Sequence, residues 1–248
     1  MIPLYDDNPT TRTPYVTVGL IASCVVVFLW QISLGRQGFQ IAVHSFGFIP
    51  GVLLVDEIRL DPEIAVVPAP LTLLTSMFMH GDFLHLAGNM LFLWVFGNNI
   101  EDACGHVRFL AFYLLCGLAA ALAQALPDPA SLIPMIGASG AVSGVLGAYL
   151  LLFPHARVYV LLFFGLYFVY QLPAGWLLAF WFLFQLLSGA LVDVSAGGVA
   201  FWAHVGGFLA GMTLIWVFRD RSFINRAGRR GRTRIPPTWV RHRRGPWG

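Results

Sequence analysis

Six apolar stretches dominate this sequence and restrict what it can fold into. They run over Tyr15–Leu34, Phe83–Phe96, Val107–Leu126, Ser139–Phe153, Trp176–Val192 and Val199–Phe218. Because a helix of about 20 apolar residues crosses the hydrocarbon core of a bilayer, we expect each stretch to span a membrane. Only 11% of the residues are charged and 58% are hydrophobic, which excludes a water-soluble globular domain and a disordered chain. The sequence therefore predicts an all-α polytopic membrane protein with a bundle of six transmembrane helices.

Arginine is distributed unevenly along the chain. Ten of the fifteen arginines lie between Arg219 and Arg244, where Asp220 is the only acidic residue. Because basic segments beside membrane helices are retained in the cytoplasm, we expect this tail to be cytoplasmic, and six spans then put the N-terminus there too. A basic tail can also bind nucleic acid, but directly after a membrane helix it is more typical of a topology signal near anionic lipid. We therefore predict contact with membrane lipids and no nucleic-acid partner.

The apolar pattern divides the chain into three parts. We predict an N-terminal stretch over residues 1–14, a membrane domain over residues 15–218 and an arginine-rich tail over residues 219–248. The long connection Gly35–Asp82 is interpreted as an outer loop that lies partly in the membrane interface. The apolar segment Val158–Pro173 is interpreted as a re-entrant or interfacial connector, because a seventh span would put the basic tail outside.

Small residues recur at every fourth position on the fourth and sixth stretches. They are Gly140, Gly144 and Ala148 on the fourth, and Ala203, Gly207 and Gly211 on the sixth. Such stripes let the backbones of neighbouring helices approach closely. We therefore expect these two helices to pack together, which would bring Ser139 and His204 within reach of each other.

Four strongly polar residues stand out inside the apolar stretches, namely His85, Asn89, Ser139 and His204. Such groups are costly in a membrane, so each is a functional hypothesis. His85 and Asn89 are four residues apart and share one helix face. The second, fourth and sixth stretches all begin on the outer side, so we expect the four residues to lie in one layer near that surface.

The residue types in this layer indicate acyl-transfer chemistry. A serine hydroxyl is a weak nucleophile unless a base removes its proton, and His204 is the only histidine in the sixth stretch. The backbone N–H of Ser139, the Asn89 side chain and the His85 ring can all donate to a developing oxyanion. Gly137 allows a sharp entry into the fourth helix. No acidic residue in a span is positioned to orient His204, so we infer a Ser–His dyad.

Each of these features also has a structural interpretation. Runs of small residues in membrane helices are mostly packing surfaces, and a single membrane histidine often only forms a hydrogen bond between helices. His80 and His85 could ligate a metal or haem, but their spacing of five faces them apart and no carboxylate or thiol joins them. We therefore predict no metal and no cofactor. The conjunction of the polar residues, and none of them alone, favours a catalytic site.

Three motifs in this sequence resemble those of the rhomboid family of intramembrane serine proteases. They are H-x4-H-x3-N over His80–Asn89, G-x-S-G over Gly137–Gly140 and A-H-x-x-G over Ala203–Gly207. The resemblance covers residues 15–218 and implies a six-helix rhomboid-like bundle. It implies that Ser139 is the nucleophile, that His204 is the general base and then the acid, and that Asn89 and His85 donate to the oxyanion.

The resemblance also implies the substrate class and two structural residues. Family members cut membrane-anchored proteins near the outer end of a transmembrane segment, without a cofactor. His80 resembles the structural histidine that holds an outer loop, and Glu101 resembles a structural acid at the inner end of the second helix. Transmembrane protein substrates are therefore the expected partners, and the expected location is a bacterial plasma membrane. The sequence does not predict an oligomeric state.

Two features depart from patterns seen in some family members. Leu71 and Thr72 stand where a Trp-Arg pair occurs, and Ser143 stands where an aromatic residue stacks on the catalytic histidine. Another group must then orient His204, and Ser143 itself is the candidate. Two other functions stay open: a catalytically silent rhomboid-like protein that binds membrane clients, and a small-solute channel that uses the intramembrane histidines.

Overall fold

The computed structural model of the protein describes residues 2–163, 167–191 and 198–220. The predicted arginine-rich tail, from residue 221 onward, lies outside the described residues. In chain order the elements are β1 (Ile2–Asp6), α1 (Tyr15–Ser33), α2 (Gly35–Phe46), α3 (Pro50–Leu54), α4 (Ala69–Thr75), a 3₁₀ turn (Ser76–Phe78), α5 (Phe83–Cys104), α6 (His106–Ala125), α7 (Ser139–Leu152), β2 (Arg157–Phe163), β3 (Tyr167–Pro173), α8 (Ala174–Leu191) and α9 (Phe201–Phe218).

Helices occupy all six predicted apolar stretches, as α1, α5, α6, α7, α8 and α9. Four of them, α1, α6, α8 and α9, are long and apolar enough to cross a membrane. The described part of the chain is therefore mostly helical, and the predicted polytopic membrane fold is confirmed. Helix α7 has only 14 residues, which agrees with the short fourth stretch in the sequence.

Helix α5 continues eight residues beyond its predicted end at Phe96. Every residue from Val95 to Cys104 is buried, including Glu101, which is fully enclosed. The Glu101 carboxylate accepts hydrogen bonds from the backbone N–H groups of Val16 and Thr17, at 2.9 and 2.7 Å. These N–H groups lie in the first turn of α1, where a helix has no internal acceptors for them. Glu101 therefore caps the start of α1. This contact satisfies the buried carboxylate, so α5 can continue past its apolar part.

Helix α7 is at the centre of the bundle and packs closely against α9. A Cβ atom added at Gly207 would overlap the carbonyl oxygen of Gly140, and one added at Gly211 would overlap that of Gly144. A Cβ atom added at Gly147 of α7 would overlap the backbone carbonyl of Phe208 in α9. The predicted packing of the two small-residue stripes is therefore confirmed, with backbone against backbone.

The connection Gly35–Asp82 is more regular than the predicted loop, because it contains α2, α3, α4 and the 3₁₀ turn. It is fastened to the segment before α7 by two backbone hydrogen bonds between Phe48 and Met135, of 3.0 and 2.7 Å. The side chain of Gln31 also bonds the backbone N–H and carbonyl of His80, at 3.0 and 3.1 Å. This connection therefore braces the chain around the starts of α5 and α7.

Within the described residues, the connector predicted between the fourth and fifth spans forms two antiparallel strands, β2 and β3. Strand β1 at the N-terminus pairs with β2, so the sheet has the order β1-β2-β3. The Asp6 carboxylate of β1 accepts hydrogen bonds from the Asn99 amide of α5, at 2.9 Å, and from the Tyr149 hydroxyl of α7. Burial raises the pKa of Asp6 to about 7. The N-terminal stretch is thus fixed to the bundle, which the sequence did not indicate.

Candidate active site

A cavity of about 800 Å³ lies where α5, α7 and α9 begin. His85, Asn89, Ser139 and His204 all line it, together with Gln124 of α6. The cavity is at the opposite end of the bundle from the sheet, because β1 contacts the last turns of α5 and α7. The structure therefore brings together the four side chains that the sequence singled out, in one layer at the starts of three helices.

Ser139 is the first residue of α7, and Gly137 determines how the chain reaches it. Gly137 has a φ of +120°, a conformation that L side chains rarely adopt. A Cβ atom there would lie 2.7 and 2.8 Å from Nε2 and Cε1 of His85. The backbone N–H of Gly137 donates to the carbonyl of Ser76 at 2.9 Å. Both the turn and the approach of the His85 ring to the serine segment therefore require glycine.

His85 is oriented by groups at the start of α5. Its backbone N–H donates to the Asp82 carboxylate at 2.8 Å, which caps the helix. The backbone N–H of Gly81 donates to Nδ1 of His85, at 3.4 Å. With Nδ1 as an acceptor, a neutral imidazole carries its proton on Nε2, the nitrogen that approaches Gly137. The ring can therefore donate toward the segment that contains Ser139.

Asn89 is buried, and its amide nitrogen donates to the carbonyl of His85 at 2.9 Å. This hydrogen bond lies within α5 and uses one of the two amide hydrogens. The second hydrogen has no acceptor in the described residues, and Asn89 lines the cavity. The side chain is thus held in place by one hydrogen and can offer the other to a ligand.

His204 has a partner that the sequence analysis missed. Its Nδ1 lies 2.8 Å from Oε1 of Gln185, a buried residue of α8. The Trp181 ring of the same helix lies beside the imidazole, with 5.8 Å between ring centroids. The signal was present in the sequence, since Gln185 is the only amide or charged side chain in α8 and such residues in spans are functional candidates.

The expectation that Ser143 orients His204 is wrong. The Ser143 hydroxyl donates to the carbonyl of Ser139, at 2.6 Å and one turn earlier in the same helix. Serine commonly forms this bond in membrane helices because it satisfies the hydroxyl locally. Among the described residues no hydrogen bond joins the Ser139 hydroxyl to His204, although both line the cavity.

His80 does not line the cavity. It is fully buried, and its Nδ1 is 3.2 Å from the carbonyl of Phe78. Its ring lies 5.2 Å from that of His85, so the expectation that the two side chains face apart is wrong. Burial lowers the pKa of His80 to about 4, so the ring is neutral at physiological pH. Its contacts, including those with Gln31, hold the chain before α5, as the resemblance implied. Across residues 2–163, 167–191 and 198–220, no group of three His, Cys, Asp or Glu side chains could hold a metal ion.

Comparisons with known proteins agree with the motifs. The family model of the Rhomboid domain matches residues 69–221, well over half of the chain. The chain is 34% identical to Rhomboid protein 1, mitochondrial, of Saccharomyces cerevisiae over 60% of its length, and 34% identical to RHOMBOID-like protein 5 of Arabidopsis thaliana over 74%. It is 42% identical to Rhomboid protease GluP of Bacillus subtilis over 32% of its length. These matches span 42%, 56% and 15% of the relatives' own lengths.

Proposed function

This chain belongs to the rhomboid family, and from that premise we propose that it is an intramembrane serine endopeptidase. It would hydrolyse peptide bonds in or near the transmembrane segments of membrane proteins. One observation carries the proposal: Ser139, His204, Asn89 and His85 come from three different helices and line one cavity. The name of the Bacillus subtilis relative, Rhomboid protease GluP, supports the same reaction class.

The proposed reaction uses residues of this chain alone. The Ser139 hydroxyl attacks the scissile carbonyl while Nε2 of His204 takes its proton, and the resulting imidazolium then protonates the leaving amine. Water then attacks the acyl-enzyme while Nε2 of His204 takes a proton from it, and the imidazolium returns this proton to the Ser139 oxygen as the carboxylic acid product leaves. The Ser139 backbone N–H, Asn89 and His85 donate to the oxyanion. A substrate helix must unwind locally at the cavity, because a regular helix keeps its carbonyls in hydrogen bonds.

The proposed orientation puts the cavity at the outer surface and the sheet in the cytoplasm. Arg12, Arg108 and Arg157 support it, because they belong to the end of the bundle away from the cavity, as does the start of the basic tail. The chain is an integral membrane protein. A bacterial plasma membrane stays a prediction, since the relatives include mitochondrial proteins of yeast and human as well as a Bacillus protein.

A catalytically silent, client-binding rhomboid protein is the second candidate. The absence of a Ser139–His204 hydrogen bond among the described residues favours it. That observation does not exclude catalysis, because catalytic hydrogen bonds are often long in free enzymes and tighten when substrate binds.

A cleavage assay in proteoliposomes separates the two candidates. Wild type, Ser139→Ala and His204→Ala are reconstituted with single-span reporter proteins, and the products are mapped by mass spectrometry. Wild type should cut near one membrane boundary of the reporter, and both variants should lose turnover by several orders of magnitude, about 10⁶ for loss of a nucleophile.

The control is Ser23→Ala, which removes an exposed serine hydroxyl from α1 and should cleave like wild type. Turnover by Ser139→Ala close to that of wild type would refute the serine mechanism. A wild type that binds several reporters and cuts none would favour the silent, client-binding function.

A further inference from the structure

Gln185 is an amide buried in a helix that is otherwise almost entirely apolar. Helix α8 has Phe184 and Leu186 exposed on either side of it, whereas Gln185 itself is 6% exposed. Its Oε1 lies 2.8 Å from Nδ1 of His204. A buried amide in such a helix is costly unless it is hydrogen-bonded. The His204 ring is the partner that the structure gives it.

This contact determines which nitrogen of His204 carries the proton. A neutral imidazole has one N–H donor and one acceptor nitrogen. An amide oxygen only accepts, so Nδ1 must be the donor and Nε2 keeps its lone pair. If the amide were turned to donate to Nδ1, Nε2 would carry the proton and could not take one from a serine. The arrangement in the structure is the one that leaves a base facing away from Gln185.

Two further observations indicate that α8 holds this ring. Trp181 lies one turn before Gln185, and its indole packs beside the imidazole with ring planes inclined by 38°. Within the described parts of the chain, no carboxylate forms a hydrogen bond or ion pair with His204. Orientation of the ring therefore comes from an amide and an indole on one helix face.

We propose that Gln185 is a positioning residue that fixes the tautomer and ring orientation of His204, giving a chain of Ser139, His204 and Gln185. This inference rests on the proposed protease function. During attack the Ser139 proton moves to Nε2 of His204, while Nδ1 keeps its proton and its bond to Oε1. The amide stays neutral throughout, and Nε2 later gives the proton to the leaving amine. Gln185 thus resembles the orienting acid of a triad in position but not in charge.

Kinetics of three variants test the catalytic part of the proposal. Gln185→Leu and Gln185→Met remove the acceptor oxygen at nearly constant size, and Gln185→Glu retains an oxygen at that place. We expect Gln185→Leu and Gln185→Met to lower kcat by about 10- to 100-fold. This loss lies between that caused by removing one hydrogen bond and that caused by a wrong histidine tautomer. KM should stay within about threefold, because Gln185 does not line the cavity. Gln185→Glu should recover a large part of kcat.

The matched control is Leu186→Met, the exposed neighbour on α8, which should leave both constants unchanged. A kcat within twofold of wild type for both Gln185→Leu and Gln185→Met would overturn the proposal. So would a loss that Gln185→Glu shares in full, because it would indicate a packing role. Gln185→Met is retained as the second variant in case Gln185→Leu does not fold.

Solid-state ¹⁵N NMR of histidine-labelled protein in proteoliposomes tests the tautomer without any substrate. His204→Ala identifies the signals of this ring among the seven histidines. Wild type at neutral pH should show protonated Nδ1 and unprotonated Nε2, and Gln185→Leu should show a mixture of tautomers. An unchanged His204 spectrum in Gln185→Leu would overturn the proposal even if kcat falls.

The two proposals fail in distinguishable ways. A wild type that binds several reporters and cuts none counts against the protease function, whereas the NMR experiment still decides whether Gln185 fixes the tautomer. Conversely, an active wild type with an unaltered Gln185→Leu spectrum leaves the Ser139–His204 dyad intact and removes only its third member.

Discussion

At the scale of single residues, Gly137 links the turn before α7 to the geometry of the candidate oxyanion site. The backbone there has a φ of +120°, and the His85 ring occupies the space that a Cβ atom would need. A substitution therefore strains the backbone and pushes His85 away from Ser139 at the same time. Residues held in such conformations cost of order 1–3 kcal/mol when they are not glycine.

Gly137→Ala should lower kcat by about 10²-fold, the scale of losing one oxyanion donor, and should lower the melting temperature modestly. Reporter cleavage and thermal unfolding in detergent measure the two effects. Gly35→Ala is the matched control, because Gly35 also has a positive φ, of +68°, but no atom within 4 Å of the added Cβ. It should lose stability and keep kcat. Equal kcat losses for the two variants would show that strain alone, and not displacement of His85, impairs turnover.

The sequence predicted the polar residues of this site and missed the group that orients one of them. Ser139, His204, Asn89 and His85 were found because polar side chains are rare in apolar stretches and fall at one depth. Gln185 belongs to none of the three motifs. Its hydrogen bond to His204 joins α8 to α9, and a local sequence pattern does not predict a contact between side chains of two different helices. Ser143 was misassigned because its hydroxyl has a carbonyl acceptor in its own helix.

At the scale of helices, the contact between α7 and α9 positions the serine relative to the histidine. The two backbones approach so closely that the carbonyl of Gly144 occupies the place of a side chain at Gly211. Membrane helices gain no hydrophobic driving force from one another, so such packing and its hydrogen bonds provide their association energy. A change at the contact therefore acts on the stability of the protein and on the distance between Ser139 and His204.

Gly211→Ala should destabilise the protein by at least the 1–3 kcal/mol typical of overpacking, because the added atom meets rigid backbone. Thermal unfolding in detergent micelles should show a lower melting temperature, and reporter cleavage should fall because α9 carries His204. Gly19→Ala provides the control, since Gly19 lies in α1 with nothing within 4 Å of the added Cβ. Its melting temperature should be unchanged or slightly raised, by helix propensity. A Gly211→Ala protein as stable as wild type would contradict the close contact.

Helices and strands differed in how well the sequence predicted them. Each of the helices in the bundle was predicted from one apolar stretch, and such a stretch is visible in neighbouring residues of the sequence. Strand β1 pairs with β2 about 155 residues later, as in the pair Tyr5 and Tyr159, and a five-residue strand has no period that identifies it. Helix α5 was predicted too short because Asn98, Asn99 and Glu101 are polar, whereas their burial against the N-terminal segment follows only from the tertiary structure.

At the scale of the whole molecule, the N-terminal strand connects the sheet to the end of α7 that lies away from Ser139. Asp6 makes this connection through the Tyr149 hydroxyl and the Asn99 amide. A second link joins the segment before α1 to the segment after α9, because Arg12 and Asp220 form an ion pair with an N–O distance of 3.2 Å. The sheet end of the bundle is thus closed by polar contacts of the N-terminus, while the cavity occupies the other end.

The protonation of the buried Asp6 side chain should make the free energy of unfolding depend on pH. Burial raises the pKa of Asp6 from 3.8 to about 7, so between these values the folded protein binds a proton that the unfolded chain releases. The free energy of unfolding then falls as pH rises through this range. We expect the contribution of Asp6 to be complete below about pH 4, to decline up to about pH 7, and to change little above it.

Asp6→Asn tests this expectation because an amide of the same shape accepts the Tyr149 hydrogen bond and does not ionise. Melting temperatures measured from pH 4 to pH 8 should decline less steeply in Asp6→Asn than in wild type, and the variant should be the more stable protein at pH 8. Asp56→Asn, at an exposed acid in the Gly35–Asp82 connection, should retain the wild-type profile. Parallel profiles for wild type and Asp6→Asn would mean that Asp6 is ionised in the fold, and the strand would then be held by a charged hydrogen bond to Tyr149.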